Sequence, residues 1–292
     1  MSDLPESLWA VPLSNLSLPG SHDAMTYCLD KESEVSANGS KLLQLLDKHM
    51  HCIVHPIILR WSITQDLTVL EQLDAGIRYF DFRIAHKSDD PSMKLYFVHM
   101  LYTTVEVEVV LWDILRWLKN HPWEVVVLAF RNFDGLDENH HNHLVSCIKK
   151  IFSSRLCPRN IVPTLWNMWS SGYQVILSYD KIEQLIKHSE LWPEIPYWWG
   201  NKDTAQKLIE FLAKRKQSGR PDGLFRGWSY CYWWRRRRRK RACLASTHCK
   251  QSGELERAAS AAPERMHGGF RRGIRNGKWI VKNTLLAIYH PK

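Results

Sequence analysis

The chain has 292 residues, 45% hydrophobic and 11% aromatic, enough for one large domain or two small ones with a packed core. No apolar run approaches the roughly 18 residues of a membrane span, and the opening MSDLPESLWA lacks the basic and apolar regions of a signal peptide, so a cytosolic protein is expected. The net charge of +10 is uneven: 17 of the 40 basic residues but 3 of the 30 acidic ones lie from Arg226 onward, a local +14 that leaves −4 on the rest.

In chain order, the first unusual stretch is LPGSHDAMTY (Leu18 to Tyr27), which places His22 and Asp23 straight after a Pro-Gly break. Short runs rich in β-branched and aromatic residues follow: GIRYFDFRIA from Gly76, LYFVHM from Leu95, EVVVLAFRNF from Glu124 and YQVILSYD from Tyr173. Mostly apolar on both faces, they predict buried parallel strands. Between them, Thr103 to Asn120, Glu138 to Phe152 and Asp203 to Gln217 carry apolar residues at helical spacing. Strands alternating with helices predict an α/β protein, either a barrel or a doubly wound sheet. The regular pattern stops at Phe225. Beyond it come YCYWWRRRRRKR, a patternless stretch and a short apolar ending, which predict residues 1–225 as the folded domain and 226–292 as a basic tail of low order. The seven cysteines are scattered without a CxxC pair and read as reduced thiols, with no zinc or disulfide framework.

In RYFDFRIA, Asp81 and Arg83 share one strand face and Phe80, Phe82 and Ile84 the other. His99 and Arg131 end their strands, and His22 follows LSLPG. In a parallel barrel the C-terminal strand ends converge on one rim. Two histidines, an arginine held by an aspartate and a second arginine suit an anion, and a phosphodiester is the natural candidate. RNFDGLDENHHNH looks His-rich but has the spacing of an exposed helix start, so no metal site is expected there.

SLPGSHDAMTY, WSITQDLTVLEQLDAGIRYFDFRIA, FVHMLY, HPWEVVVLAFRNFDG and LWPEIPYWWGN, in this order from Leu8 to Phe225, resemble the X domain of phosphatidylinositol-specific phospholipases C, in the form found in small vertebrate PI-PLC X domain-containing proteins. The resemblance implies a TIM barrel that turns a phosphoinositide into diacylglycerol and a cyclic inositol phosphate. His22 matches the general base and His99 the general acid; Asp23 matches the carboxylate supporting the acid, Arg83 the phosphate-binding arginine and Asp81 the residue orienting it. Arg131 falls where bacterial relatives carry a substrate-contacting lysine. Arg83 stands where calcium-dependent relatives place a carboxylate, which implies catalysis with neither metal nor cofactor. The implied partners are the lipid substrate and a membrane surface, with nucleic acid reached only through the tail and no obligate protein partner.

Blander readings stay open for each residue. His22 suits a turn, Asp81 and Arg83 an internal salt bridge, and the tryptophans of PYWWGN a loop anchor. A barrel of this type takes about 250 residues and eight strands, whereas the chain before Phe225 supplies five or six candidates. The expectation is therefore an incomplete barrel, missing the aspartate that pairs with the base histidine and correspondingly weak in activity. An inactive variant binding anionic membrane or nucleic acid through RRRRRKR is the rival, and the same run leaves membrane and nuclear locations open beside the cytosolic one.

Overall fold

The Pro19-Gly20 pair lies within the first strand, β1 (Leu18–Ser21), in a computed structural model that describes residues 1–202, 204–219, 223–224, 226–231 and 285–286. A kinked helix, α1 (Lys41–Ser62), and a short one, α2 (Val69–Asp74), lead to β2 (Tyr79–Ala85). Strands β3 (Tyr96–His99) and β4 (Leu101–Glu106) form a hairpin that runs directly into α3 (Val107–Asn120). Next come β5 (Val126–Asp134), α4 (Glu138–Phe152), α5 (Leu165–Ser170), β6 (Val175–Tyr179), α6 (Ile182–Lys187) and β7 (Leu191–Trp192). The last described elements are β8 (Tyr197–Lys202), α7 (Ala205–Gln217), β9 (Arg226–Cys231) and β10 (Leu285–Leu286).

Strands β1, β2, β5, β6 and β7 lie side by side in that order, each parallel to its neighbour, with β10 antiparallel outside β1. A separate parallel pair is made by β8 and β9. Among the described residues the larger sheet does not close, so the architecture is an incomplete α/β barrel, as the shortage of strand candidates predicts. Period-2 alternation sorts the side chains. Phe80, Phe82, Val126, Leu128, Phe130 and Leu177 join α3 and α4 in one buried cluster, while Tyr79, Val127, Ala129 and Ile176 join a second cluster on the opposite face. Gly20 lets β1 approach β2 closely: a Cβ there would stand 3.0 Å from the Tyr79 ring, which would have to shift by a few tenths of an ångström.

The structure differs from the sequence reading at three places. The strand ending at His99 is antiparallel to β2, not parallel, because it belongs to a hairpin turned at Met100, whose φ is +66°. Thr103 to Glu106 extends β4 instead of opening a helix; Thr103 Oγ1 takes the Phe97 N–H across the hairpin. Helices α1 and α2 were not expected, since Pro56 and an irregular Met50 interrupt the periodicity of α1 and α2 is only six residues long. The structure also describes β9, which lies beyond Phe225 and pairs with β8. The low order expected of the tail lies, for residues 232–284 and 287–292, outside the described residues.

Candidate active site

Parallel strands in register bring the polar residues of the inner face together. Asp81 of β2 pairs with Ala129 of β5, and Arg83 with Arg131. Deeper along the same strands the partners are apolar, Tyr79 with Val127, so polarity is confined to the C-terminal end. His22 and Asp23 follow β1, and Asp23 adopts φ +44°, a left-handed conformation that Asp tolerates better than most residues. This turn is held from outside: Gln65 Nε2 donates to the His22 carbonyl at 3.0 Å and Thr64 Oγ1 donates to it at 2.9 Å. At the end of β3, His99 Nδ1 donates to the Ser62 carbonyl at 2.7 Å, a contact that sets its tautomer and leaves Nε2 facing the site.

Asp23 lies at the centre. One of its oxygens is 3.0 Å from His22 Nε2 and 3.3 Å from His99 Nε2, and the other meets Arg83 Nε. Among the described residues neither oxygen has a partner in hydrogen-bonding geometry, so charge holds the carboxylate more than directed bonds do. Asp81 contacts His22 Nδ1 at 2.8 Å, Arg83 Nη2 at 3.7 Å and Arg131 Nε at 3.9 Å. Arg131 further lies 3.8 Å from Glu194 and its guanidinium carbon 5.1 Å from the Tyr197 ring centroid, while its buried Nε and Nη1 lack a hydrogen-bond partner among the described residues.

These neighbours decide the protonation states. Burial opposes ionisation of Asp81, but the His22 bond and the arginine charges outweigh it and bring its carboxyl down to about 2. Asp23 is likewise lowered despite burial, by His22, His99 and Arg83. Burial disfavours charge on His22, yet the Asp23 and Asp81 carboxylates prevail and raise it. Two ionised carboxylates, Asp23 and Asp81, thus stand among two guanidiniums and two imidazoles, a set of donors that can turn to the oxygens of an incoming anion.

All six residues singled out in the sequence, His22, Asp23, Asp81, Arg83, His99 and Arg131, lie in this one cluster. One expectation is corrected: His22 does not lack a carboxylate partner, because Asp81 stands against its Nδ1. Asp81 serves His22 as well as Arg83, a double role that spacing along one strand does not reveal. Ser62, Thr64, Gln65, Glu194 and Tyr197 were missed; they act through backbone contacts or across long sequence separations, and only WSITQDL and PYWWGN marked their neighbourhoods. His22, Asp23 and Asp81 also lie close enough together to share a metal ion, but the Arg83 guanidinium already sits against both carboxylates and supplies the positive charge there.

Comparison with known proteins bears on the family and the fold. The PI-PLC X 1 family model matches residues 58–225. Human PI-PLC X domain-containing protein 1 is 56% identical over 225 residues, covering 77% of this chain and 70% of the human protein. The zebrafish (Danio rerio) protein of that name is 44% identical over 77% of this chain and 72% of its own length. Among solved structures, the phosphatidylinositol-specific phospholipase C from Listeria monocytogenes superposes with a TM-score of 0.56 at 18% identity, covering 89% of this chain and 88% of that one, a likeness of fold. Sequence identity over three quarters of its length, the matching family model and the shared barrel architecture place this chain in the PI-PLC X domain-containing protein family.

Proposed function

We propose that the chain is a phosphodiesterase of the phosphatidylinositol-specific phospholipase C type. The observation that carries this reading is the placement of His22 and His99 on either side of Asp23, ring centroids 6.2 Å apart, beside the adjacent guanidiniums of Arg83 and Arg131. A phosphodiester presents its negative oxygens to the cations that Asp23 now faces, and loosely directed contacts to Asp23 allow that exchange. His22, neutral and oriented by Asp81, takes the proton of the inositol 2-hydroxyl as its oxygen attacks phosphorus. His99, held by Ser62, delivers a proton from Nε2 to the departing diacylglycerol oxygen. Arg83 and Arg131 neutralise the charge that develops on the phosphoryl oxygens. The products are diacylglycerol and a cyclic inositol phosphate, and no metal step is needed.

The lipid substrate implies contact with a membrane surface. Leu42, Leu46, Met50, Ile53, Ile57 and Trp61 form an exposed apolar stripe along α1 that ends beside Ser62 and therefore beside His99. Such a stripe suits the boundary between headgroups and acyl chains. No described helix is long and apolar enough to cross a membrane.

A second reading is favoured by the open sheet and by the carboxylates on both His22 nitrogens: a site that binds the anionic headgroup without turning it over. Purified chain incubated with phosphatidylinositol vesicles decides between them. Release of cyclic inositol phosphate that disappears in His99→Ala supports the enzyme. Vesicle binding that depends on Arg83 without product supports the binding module.

For location, the proposal is a folded region that acts at membrane surfaces from the cytosol, with membrane or nuclear retention conferred by the basic run from Arg235 to Arg241. The tail is also the segment suited to nucleic acid.

A further inference from the structure

Helix α1 carries a second cluster of chemistry-bearing side chains that the reaction above does not use. Asp47, His51 and His55 recur at four-residue spacing and offer one carboxylate oxygen and two imidazole nitrogens within 4.8 Å of one another. His55 Nδ1 lies 3.1 Å from Asp47 Oδ1, and His51 Nδ1 lies 3.5 Å from that same oxygen. A tetrahedral ion bound at about 2.0–2.1 Å holds its ligand atoms roughly 3.3 Å apart, so these separations suit three corners of such a site. Asp47 and His55 are buried, whereas the His51 side chain is 54% exposed, which leaves a fourth corner open towards solvent.

We propose that Asp47, His51 and His55 form a binding site for a divalent transition metal of the zinc type. Two imidazoles and one carboxylate suit zinc and its first-row neighbours, whereas calcium and magnesium favour an all-oxygen set of six or more ligands. The backbone gives the ion a structural task. Met50 breaks the helix with φ −133° and ψ +39°, and Pro56 removes a further helical hydrogen bond, so Asp47 lies on one side of the break and both histidines on the other. A shared metal closes that kink. It thereby fixes the helix whose last residue, Ser62, accepts the hydrogen bond from His99 Nδ1 at its carbonyl.

The buried His55 Nε2 has no hydrogen-bond partner among the described residues. Metal-binding histidines ordinarily donate their second nitrogen to an acceptor, and losing such a partner lowers affinity roughly 10–100-fold. The site is therefore an exchangeable one, in contrast to a permanently filled zinc finger.

The test is metal binding by the full chain, independent of lipid turnover. Zinc is titrated by calorimetry, and cobalt(II) replaces it for visible absorption. One equivalent of zinc, a cobalt spectrum of tetrahedral intensity, and a melting temperature that rises with zinc are expected of the unaltered protein. His51→Ala, at an exposed position, and Asp47→Asn should each weaken zinc at least about tenfold and abolish the rise in melting temperature. His49→Ala, on the same helix but outside the cluster, and His22→Ala, in the phosphodiester site, should bind as the parent does. Absence of one-to-one binding in the parent, undiminished binding in His51→Ala, or loss of binding in His22→Ala overturns the assignment.

Discussion

Arg83 and Arg131 stand opposite each other on neighbouring parallel strands, two guanidiniums in register on the inner face of the sheet. Adjacent strands are only about 4.8 Å apart, so the two charges repel each other, and Asp23 on Arg83 and Glu194 beside Arg131 offset part of that. Asp81 offsets a further part, yet Arg131 Nε and Nη1 remain buried without hydrogen-bond partners among the described residues. Arg131→Met is therefore expected to keep or raise the melting temperature while weakening binding of an inositol phosphate headgroup at least tenfold, on the order of 1.4 kcal/mol. Thermal melting and headgroup titration on the same preparations check both halves. A variant that melts lower and binds normally would mean that Arg131 is a structural residue.

Removing either imidazole separates catalysis from folding. His99→Ala and His22→Ala are each expected to lower turnover by about 10²–10⁴-fold, the usual contribution of a general acid or base. Circular dichroism should stay near that of the parent, because both residues lie at strand ends outside the two main apolar clusters. Near-normal turnover in either variant removes that residue from the mechanism.

The raised pKa of His22 fixes the direction of the pH profile. A base must be neutral to accept a proton, and Asp23 and Asp81 hold this imidazole protonated to a pH above the ordinary 6.5. The acidic limb of kcat/KM should therefore rise above pH 6.5, and Asp81→Asn should shift it downward by removing one carboxylate. For stability the sign is reversed. The stabilisation from charged His22 is complete below pH 6.5 and lost as pH rises through its folded value, whereas that from Asp81 is present above 3.8 and lost as pH falls towards about 2. A rate profile with the same acidic limb in parent and Asp81→Asn would separate Asp81 from the base.

Calcium should be dispensable, because Arg83 already provides the cation beside Asp23 and Asp81. Turnover is expected to persist in EGTA. Activity lost on chelation and restored by calcium would show that the guanidinium does not replace the ion.

The strand β9 changes where the chain can be cut. A fragment of residues 1–225 lacks the partner of β8 and should melt lower than one of residues 1–231. In cells, fluorescent fusions of 1–231, 232–292 and the whole chain test the tail. At about 1 kcal/mol per basic residue near an anionic membrane, the run from Arg235 to Arg241 is expected to relocate whatever carries it. Identical distributions of the whole chain and residues 1–231 would dismiss it as a targeting signal.

Alternating runs of apolar strands and amphipathic segments determined the α/β class, and the face shared by Asp81 and Arg83 followed from the two-residue period of a strand. The motif LPGSHDAMTY and the strand-end positions of His99 and Arg131 were equally legible, because each is a local pattern. What they contact was not. The Asp81 carboxylate reaches His22 across 59 residues, and the Ser62 carbonyl reaches His99 across 37, distances in sequence that only strand register and the path of α1 bring together. The hairpin of β3 and β4 escaped detection because Thr103 to Glu106 satisfies helical and strand spacing alike, and the cross-strand bond to Thr103 decides between them. Helix α1 escaped because Pro56 and Met50 break its period, so the joint approach of Asp47, His51 and His55 became visible only once tertiary packing had carried the helix through its own kink.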